Sequence, residues 1–348
     1  MRARLIVFSS DPGGASCLIP VLKDLPESWA LKVFAGRDAR EAFANAGFDP
    51  VATEPDSIDE MLEGRVTAVL TSASSLPERD MTEKRLWRRA AERDVPSLAV
   101  LDQWQCYVAR FSGPQGREPL GYLPTAIAVM DEQARTEMIR EGFPEDRLVV
   151  TGQPALGVVR ERVVSLKAAD STPGARVTWF SQPLRALFGR DLGFDEHDML
   201  GIVRTAMGML GEGRPRLVCK LHPRERREDF PPDEADFEVV AGDRDNDALL
   251  AASDVVLGMS TVMLVHAVLA GIPTLSVSPD TGDARNRCHP VEMGVVARLA
   301  TPDAVAEHLQ GLLNDPECRR AAVARLASFP SHEGAVDAVL ALLSRLVA

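Results

Sequence analysis

The chain has 348 residues, of which 45% are hydrophobic, 26% charged and 5% aromatic. This composition is typical of a globular protein and excludes a collagen-like, coiled-coil or disordered chain. Acidic residues outnumber basic ones by 51 to 39, and the formal net charge of −12 argues against general binding to nucleic acid or anionic membranes.

Short β-rich runs alternate with helical patterns through the first half of the chain. The predicted strands are Arg4–Ser9, Leu31–Phe34, Val66–Thr71, Ser97–Leu101 and Ala126–Val129. The predicted helices are Ala15–Leu25, Asp38–Ala46, Glu78–Arg93 and Asp131–Glu141. This alternation is typical of a doubly wound parallel sheet. The basic run Lys84–Arg89 is interpreted as a solvated helix face with one buried stripe.

The same alternation restarts in the second half. The predicted strands are Val177–Phe180, Arg216–Leu221, Phe237–Val240, Val255–Leu257, Thr274–Val277 and Val295–Leu299. The predicted helices are Glu196–Leu210, Asp247–Ala252, Thr261–Ala270, Pro302–Leu313, Pro316–Ser328 and Glu333–Val347. The fold class is therefore α/β, with two facing Rossmann-like domains built on parallel sheets.

Domain boundaries follow from a small, turn-forming segment, Ala168–Ala175, which suits an interdomain linker. We expect an N-terminal domain at residues 1–167 and a C-terminal domain at residues 168–331. Residues 332–348 form a C-terminal helix, for which packing back on the N-terminal domain is one option. Ligands of such sheets bind at the carboxyl ends of the strands, so residues just after the strands are the candidates for chemistry.

One segment, Val255–Pro279, has no charged residue and is long enough to span a bilayer. Its glycines and prolines are spaced like strand, turn, helix, turn and strand, so we favour a buried βαβ unit over a transmembrane helix. Strand-like sequence begins at Leu5, which leaves no room for a signal peptide. The five cysteines lack a C-x-x-C pair, which argues against a zinc site or a disulfide framework. The predicted location is cytoplasmic, with a peripheral place at the inner membrane as an alternative.

The first predicted strand is followed by Ser10–Ala15, which contains Asp11, Gly13 and Gly14. The two glycines allow the backbone to approach a ligand, and the following helix offers free N–H groups. Asp11 is a candidate general base or a helix cap, and a tight βα turn explains the glycines equally well. The segment is not G-x-G-x-x-G, so a dinucleotide cofactor is not indicated.

A second polar cluster, Asp102, Gln103, Trp104 and Tyr107, follows the strand Ser97–Leu101. A carboxylate at a strand end can accept a proton from a sugar hydroxyl, and aromatic faces can stack on sugar rings. The alternative interpretation is a polar loop with a packed tryptophan.

The strand ends of the second half carry groups suited to a phosphate. Lys220, His222 and Arg224 place an ammonium, an imidazole and a guanidinium within a few residues. Gly258, Ser260 and Thr261 precede a helix whose N–H groups and hydroxyls can bind an anion, or simply cap the helix. Ser181 and Gln182 follow another strand, and a glutamine can reach a ligand from that turn.

Together, these motifs resemble the GT-B class of glycosyltransferases, and in particular bacterial surface-polysaccharide transferases with an HP motif and a downstream S/T motif. Sialyl-, polysialyl- and Kdo-transferases belong to that group, and CDP-glycerol glycerophosphotransferases are relatives. The matching segments are Lys220–Pro223, Ser253–Thr261 and Ala267–Pro273. The segment Asp146–Pro154 is similar to the interdomain passage of UDP-N-acetylglucosamine 2-epimerases.

The resemblance implies transfer of a sugar or polyol phosphate from a nucleotide-activated donor to a glycan-type acceptor, in surface polysaccharide or glycoconjugate synthesis. A UDP-, CMP- or CDP-linked donor would bind the second domain through Ser181, Gln182, Lys220, His222, Arg224, Gly258, Ser260, Thr261 and His266. The acceptor would bind the first domain through Gly13, Gly14, Gln103, Trp104 and Tyr107, with Asp11 or Asp102 as the base. No metal and no cofactor is expected, because helix dipoles and side-chain donors can stabilise the departing nucleotide.

Two departures from the related families keep alternatives open. His266 stands where many nucleotide-sugar enzymes of this fold have a ribose-binding glutamate. Leu101–Trp104 replaces the His-x-Glu-Ala-Gly segment of the epimerases. The alternatives are an epimerase or hydrolase similar to UDP-N-acetylglucosamine 2-epimerase, and a non-catalytic nucleotide-binding module.

Overall fold

A computed structural model of the chain describes residues 3–52, 58–167 and 175–348. The predicted linker Ala168–Ala175 lies outside the described residues except for its last position. The chain divides into two compact units, one of Met1–Val158 with Ser331–Ala348 and the other of Val159–Pro330.

The first unit is built on a parallel sheet with the strand order β3-β2-β1-β4-β5-β6-β7. Its strands are β1 (Ala3–Ser9), β2 (Trp29–Ala35), β3 (Val51–Ala52), β4 (Ala68–Thr71), β5 (Ser97–Val100), β6 (Ala126–Val129) and β7 (Leu148–Val150). Its helices before the second unit are α1 (Pro12–Lys23), α2 (Arg40–Asn45), α3 (Ile58–Met61), α4 (Thr82–Glu92), α5 (Tyr107–Arg110), α6 (Glu132–Arg140) and α7 (Pro154–Gly157). Short 3₁₀ turns lie at Pro114–Gly116 and Glu145–Arg147. The short strands β3 and β7 were not predicted from the sequence.

Strand β1 is buried on both faces. Leu5 and Val7 pack in a core that includes residues of α1, whereas Ile6 and Phe8 pack on the opposite face in a core that includes residues of α4. A strand covered on both sides reads as a continuous apolar run rather than an alternating one. This explains why the middle of β1, Leu5–Phe8, is entirely apolar, between Arg4 near its start and Ser9 at its end.

The second unit has a parallel sheet with the strand order β10-β9-β8-β11-β12-β13. Its strands are β8 (Arg176–Phe180), β9 (Arg216–Lys220), β10 (Phe237–Val240), β11 (Val255–Gly258), β12 (Thr274–Val277) and β13 (Ala297–Leu299). Its helices are α8 (Val159–Lys167), α9 (Leu184–Phe188), α10 (Glu196–Met209), α11 (Asn246–Ala251), α12 (Val262–Leu269), α13 (His289–Glu292), α14 (Pro302–Asn314) and α15 (Pro316–Leu326). Short 3₁₀ turns lie at Arg227–Asp229 and Ala284–Asn286.

The division between the units falls after Val158, whereas the sequence suggests residue 167. The difference arises because α8 packs against α11 and α12 of the second unit. Its Arg162 donates to Asp247 of α11, with 2.7 Å between Nε and Oδ2.

The uncharged segment Val255–Pro279 forms β11, α12 and β12, which confirms the predicted βαβ unit. Within the described part of the chain, no helix combines the length and the apolar character needed to span a bilayer.

The last helix, α16 (Ala335–Leu346), belongs to the first unit and contributes Val339, Leu342 and Leu343 to its core. The segment before it lies against α7, and the His332 Nδ1 atom accepts from the Gln153 N–H at 3.2 Å. An isolated histidine such as His332 is expected at the surface, but the structure buries it, with its backbone packed against Gly152 and Gly157.

Gly157 gives a test of this return. A Cβ atom added there would lie 2.5 Å from the carbonyl oxygen of His332, a backbone atom that cannot turn away. We expect Gly157→Ala to destabilise the docking of α16 by about 1–3 kcal/mol through overpacking, and to raise amide hydrogen exchange throughout α16. The matched control is Gly201→Ala in α10, where nothing lies within 4 Å of the added Cβ. Equal exchange in the two variants would contradict the packing argument.

Candidate functional site

The strand order of the second unit reverses between β8 and β11, and ligands of open α/β sheets bind at such a switch point. Phe180 of β8 is in register with Lys220 of β9 and with Gly258 of β11. The loops that follow these three strands therefore begin side by side. These loops carry most of the residues that the sequence suggests for donor binding.

The loops after β8 and β11 are joined by a hydrogen bond from the Ser260 N–H to Gln182 Oε1, at 2.8 Å. Thr261 caps α12, its Oγ1 accepting from the Met263 N–H at 3.3 Å. Gly258 is required at the turn, because an added Cβ would lie 2.8 Å from Thr261 Cγ2 and 3.2 Å from the Phe180 carbonyl oxygen. The start of α12 thus combines the Thr261 N–H, which has no hydrogen-bond partner among the described residues, with the hydroxyls of Ser260 and Thr261, an arrangement that can bind a phosphate.

A glutamate that the sequence analysis missed joins the loops after β8 and β9. Glu225 Oε1 accepts from Ser181 Oγ at 2.7 Å, and its Oε2 accepts from the His222 N–H at 2.6 Å. Through Ser181 and the neighbouring Gln182, the contacts extend from His222 to Ser260. The structure therefore brings His222 and Ser260 to the same edge of the sheet.

The imidazole of His222 is oriented by the backbone. Its Nδ1 accepts from the Arg224 N–H at 3.1 Å, which leaves Nε2 as the nitrogen that carries a proton and can donate it to a ligand. Half-burial, followed by the charges of Arg224 and Lys220, lowers the pKa of His222, so the ring is neutral at pH 7. Burial also raises the pKa of Glu225 to about 7.

Two suggested donor-binding residues have contacts that differ from the expectation. The ammonium of Lys220 donates to the carbonyl oxygens of Leu221 and Gly242, at 2.9 and 2.7 Å, and burial lowers its pKa. His266 lies in the middle of α12, and its Nδ1 is buried without a hydrogen-bond partner among the described residues. Burial lowers the pKa of His266 to about 4.

A cavity of about 780 Å³ opens beyond the ends of β12 and β13, and the sequence analysis did not anticipate it. Strand β12, which leads into this cavity, is joined to the loop after β11 by a hydrogen bond from Ser276 Oγ to the Met259 carbonyl oxygen at 2.6 Å. Its lining is Ser278, Asp280, Gly282, Asp283, Asn286, Arg287, Val291, Glu292, Arg298 and Ala300.

Three polar atoms of this lining are buried without partners in the described chain: Ser278 Oγ, Asn286 Oδ1 and Arg298 Nε. An unpaired buried polar group costs about 1–3 kcal/mol. The ion pair of Arg287 with Glu292, at 2.8 Å, lies on the same lining.

In the first unit, the two suggested catalytic carboxylates meet at Gly13. A Cβ added to Gly13 would lie 3.3 Å from both Asp11 Oδ1 and Asp102 Oδ2, so these oxygens are at most twice that distance apart. Strand β4 lies between β1 and β5 in the sheet. The loops that carry Asp11 and Asp102 follow β1 and β5, so they are separated by the width of only one strand. Gly13 leaves the space beside both oxygens open.

The two carboxylates have different surroundings. Asp11 caps α1, with its Oδ1 accepting from the Gly14 N–H at 2.8 Å. Burial, followed by the charge of Asp102, raises the pKa of Asp11. Asp102 instead forms an ion pair with the buried Arg110, at 2.6 Å between Oδ1 and Nη1.

The suggested acceptor-binding aromatic residues are packed rather than presented to solvent. Trp104 donates from Nε1 to Asp131 Oδ2 at 2.6 Å, and its ring lies 5.8 Å from that of His332. Tyr107 is fully buried, and its hydroxyl donates to Glu137 at 3.2 Å. Gln103 accepts from Gln105 Nε2 at 3.0 Å. The packed-tryptophan alternative therefore describes this loop.

The solvated face expected at Lys84–Arg89 is wrong for its first residue. Lys84 is fully buried beside Glu83, where both side chains bind the loop after β4. On α4, Glu83 lies one helical turn before Trp87, on the face that the structure buries with Leu86 and Ala90, and Lys84 follows it directly.

Comparisons with known proteins were made against families, curated proteins and solved structures. No family model matches the sequence, and no curated protein matches it. Solved structures do match along the whole chain. The UDP-GlcNAc 2-epimerase of Neisseria meningitidis bound to UDP-GlcNAc has a TM-score of 0.69 at 16% identity, covering 99% of each chain.

Two further solved structures are similar at the same low identity. The UDP-GlcNAc 2-epimerase of Methanocaldococcus jannaschii in complex with UDP-GlcNAc and UDP has a TM-score of 0.63 at 12% identity, covering 98% of this chain and 99% of that one. The glycotransferase of kitacinnamycin has a TM-score of 0.66 at 14% identity, covering 100% of this chain and 99% of that one. The chain has a two-domain α/β fold of the GT-B type. This agrees with the fold class predicted from the sequence.

The protonation state of His222 can be tested directly. We expect its imidazole to titrate below the ordinary value of about 6.5, and Arg224→Ala to raise the midpoint, because the substitution removes a positive charge that disfavours the imidazolium. Imidazole NMR signals, assigned with His222→Gln, measure both midpoints. The control is Arg226→Ala, since the exposed Arg226 pairs with Glu228 instead. A midpoint unmoved by Arg224→Ala would contradict the assignment.

Proposed function

We propose that the protein is a nucleotide-sugar-dependent glycosyltransferase that moves a sugar, or a related polyol phosphate, to a glycan-type acceptor. The observation that carries the proposal is the phosphate-binding arrangement in the second unit, where His222, Gln182, Ser260 and Thr261 meet at the switch point of the sheet. The proposal is supported by the likeness to solved structures whose names state UDP or UDP-GlcNAc as ligand.

In the proposed donor complex, the pyrophosphate binds at the start of α12. The hydroxyls of Ser260 and Thr261 and the Thr261 N–H supply donors there, since the Ser260 N–H already donates to Gln182, and the Nε2–H of the neutral His222 supplies another. The glycosyl group is proposed to enter the cavity beyond β12 and β13, whose polar lining includes the side chains of Ser278, Asn286 and Arg298. The donors at the start of α12 and at His222 stabilise the charge that develops on the departing nucleotide, so we expect transfer to proceed in the presence of EDTA.

The acceptor hydroxyl is activated in the first unit. Asp11 is the proposed base, because its raised pKa makes it a better proton acceptor at neutral pH than an ordinary aspartate. Asp102 has its charge balanced by Arg110, and its Oδ2 accepts a hydrogen bond from the acceptor and orients it. The open space at Gly13 admits the hydroxyl to both oxygens.

A second candidate is epimerisation or hydrolysis of a nucleotide sugar, which the likeness to UDP-GlcNAc 2-epimerases favours. The same donor site would serve this reaction, and the pair Asp11 and Asp102 would exchange a proton with the sugar itself. The two candidates differ in one requirement, because an epimerase or a hydrolase converts a UDP-sugar without an acceptor.

Nucleotide binding is the first test. Calorimetry against UDP, CMP, CDP and GDP should show binding of at least one of them, and His222→Ala should weaken it by about 1.5–3 kcal/mol, the range for a hydrogen bond to a charged group. His308→Ala is the control, because His308 lies exposed on α14 and its Nδ1 contacts the Ala304 carbonyl oxygen. If the folded protein binds none of the four nucleotides, the proposal fails.

Incubation of UDP-GlcNAc with the enzyme, followed by NMR, separates the two candidates. A transferase leaves the sugar intact until a glycan acceptor is added, whereas appearance of a 2-epimer or of free UDP without acceptor supports the second candidate. Unchanged donor under both conditions directs the search to the nucleotide that calorimetry selects.

Asp11→Asn separates chemistry from stability. Asparagine caps a helix as well as aspartate does, so α1 should persist while turnover falls by at least about 100-fold, the lower end of the general-base range. Because burial raises the folded-state pKa of Asp11, the wild type should lose stability relative to the variant as pH rises above about 4. Urea unfolding at pH 4 and pH 8 measures the difference. Retained turnover would exclude Asp11 as the base.

A further inference from the structure

The proposed function leaves a buried charged pair, Glu83 and Lys84 at the start of α4, without a role. We propose that Glu83 is a positioning residue for Asp102, acting through the loop after β4 and the guanidinium of Arg110. The coupling of Glu83 to Arg110 is independent of the proposed function. The catalytic consequence at Asp102 rests on that function.

The first link runs from Glu83 to the loop Ser72–Ser74. Glu83 Oε1 accepts from the hydroxyl of Ser72, and its Oε2 accepts from the Ser74 N–H at 2.5 Å. Lys84 Nζ donates to the Ser74 carbonyl oxygen at 3.1 Å. The loop is therefore held at both ends by one carboxylate and in addition by the neighbouring ammonium.

The second link runs from that loop to Asp102. Ala73, between the two serines, has its carbonyl oxygen bound by Arg110 Nη1. The same nitrogen donates to Asp102 Oδ1 at 2.6 Å, and Arg110 Nε donates to the Gln105 carbonyl oxygen at 3.0 Å. A shift of the Ala73 carbonyl would move the guanidinium and, with it, the carboxylate.

The loop that carries Asp11 rests on the same serine. Ser72 Oγ lies 2.8 Å from Ser9 Oγ, which in turn donates to the Asp11 carbonyl oxygen at 3.0 Å. Gly14 packs so closely on Ser72 that an added Cβ would lie 2.4 Å from its Oγ. The contacts of Glu83 thus reach the supports of both carboxylates.

Burying a charged pair to hold a turn carries a high desolvation cost. Burial of an acid and a base is often no more stabilising than burial of apolar residues of the same size, so a turn alone does not require it. Burial has the largest effect on the pKa of Glu83 and raises it. Lys84 on the same helix lowers this pKa, whereas Asp11 at the start of α1 adds to the effect of burial. Arg110 of α5 acts on Lys84. Burial raises the pKa of Glu83 to about 7, so its charge state changes in the neutral range.

The test uses the Nε–H signal of Arg110 in ¹⁵N NMR spectra of the full chain between pH 5.5 and 8.5. We expect this signal to titrate with a midpoint near 7 in the wild type, and Glu83→Gln to abolish the titration. Glu92→Gln is the matched control, because Glu92 is an exposed acid at the other end of the same helix, and it should leave the titration intact. A residue that merely stabilised α4 would lower the melting temperature without changing this signal.

If Glu83→Gln does not fold, Ser72→Ala replaces it, because it removes one contact of the same carboxylate without altering a charge. Ser72→Ala keeps the carboxylate and its contact with Ser74, so the titration should persist with a higher midpoint, because the hydrogen bond that is removed lowers the pKa of Glu83. A flat signal in the wild type, the same titration in Glu83→Gln, or an unmoved midpoint in Ser72→Ala would overturn the coupling. Where turnover has been established, Glu83→Gln should lower it by about 10–100-fold, as expected for a misplaced reacting group, with UDP affinity unchanged. Full turnover in that variant would overturn the catalytic part of the proposal and leave the proposed function standing.

Discussion

A parallel strand that is covered on both faces has little room for polar groups in its middle. The central residues of β1, β4, β5 and β11 are apolar, and Asp11, Ser72, Asp102 and Ser260 follow the last residues of these strands. Each sheet therefore concentrates its chemistry on one edge. The strand order then decides which loops become neighbours, so that segments far apart in sequence, such as Gln182 and Ser260, form a single hydrogen-bonded group.

In both units a glutamate side chain holds a loop that follows a strand of the parallel sheet. In the first unit, Glu83 accepts from a serine hydroxyl and from a backbone N–H, and in the second unit Glu225 does the same. A carboxylate can accept several hydrogen bonds at once, so a single glutamate can bind a serine hydroxyl and a backbone N–H together. The cost is desolvation, which brings both pKa values to about 7. Both loops are therefore held by groups whose charge is sensitive to the surroundings.

The architecture could be predicted from the sequence because it depends on hydrophobic periodicity and on the order of the elements along the chain. Strand Ala126–Val129 and helix Pro302–Asn314 fall within one residue of their predicted bounds, and the carboxyl-edge rule led to Asp11, Asp102, His222 and Ser260. The direction of individual side chains could not be predicted, because it depends on which surfaces are covered by neighbouring segments of the folded chain. Trp104 and Tyr107 turn inward beneath the C-terminal segment and α6, and Lys220 turns toward backbone carbonyls. The cavity at Ser278 and Arg298 depends on the loop between β12 and β13, whose sequence has no periodic pattern.

The first unit is discontinuous in sequence, since its core includes α16 at the very end of the chain, whereas the second unit is one uninterrupted segment. During synthesis on a ribosome, the second unit can acquire all its residues and fold while the first still lacks Val339, Leu342 and Leu343. The apolar surface that α16 covers therefore remains exposed until α16 itself has been synthesised. The half of the protein that is made first is completed last.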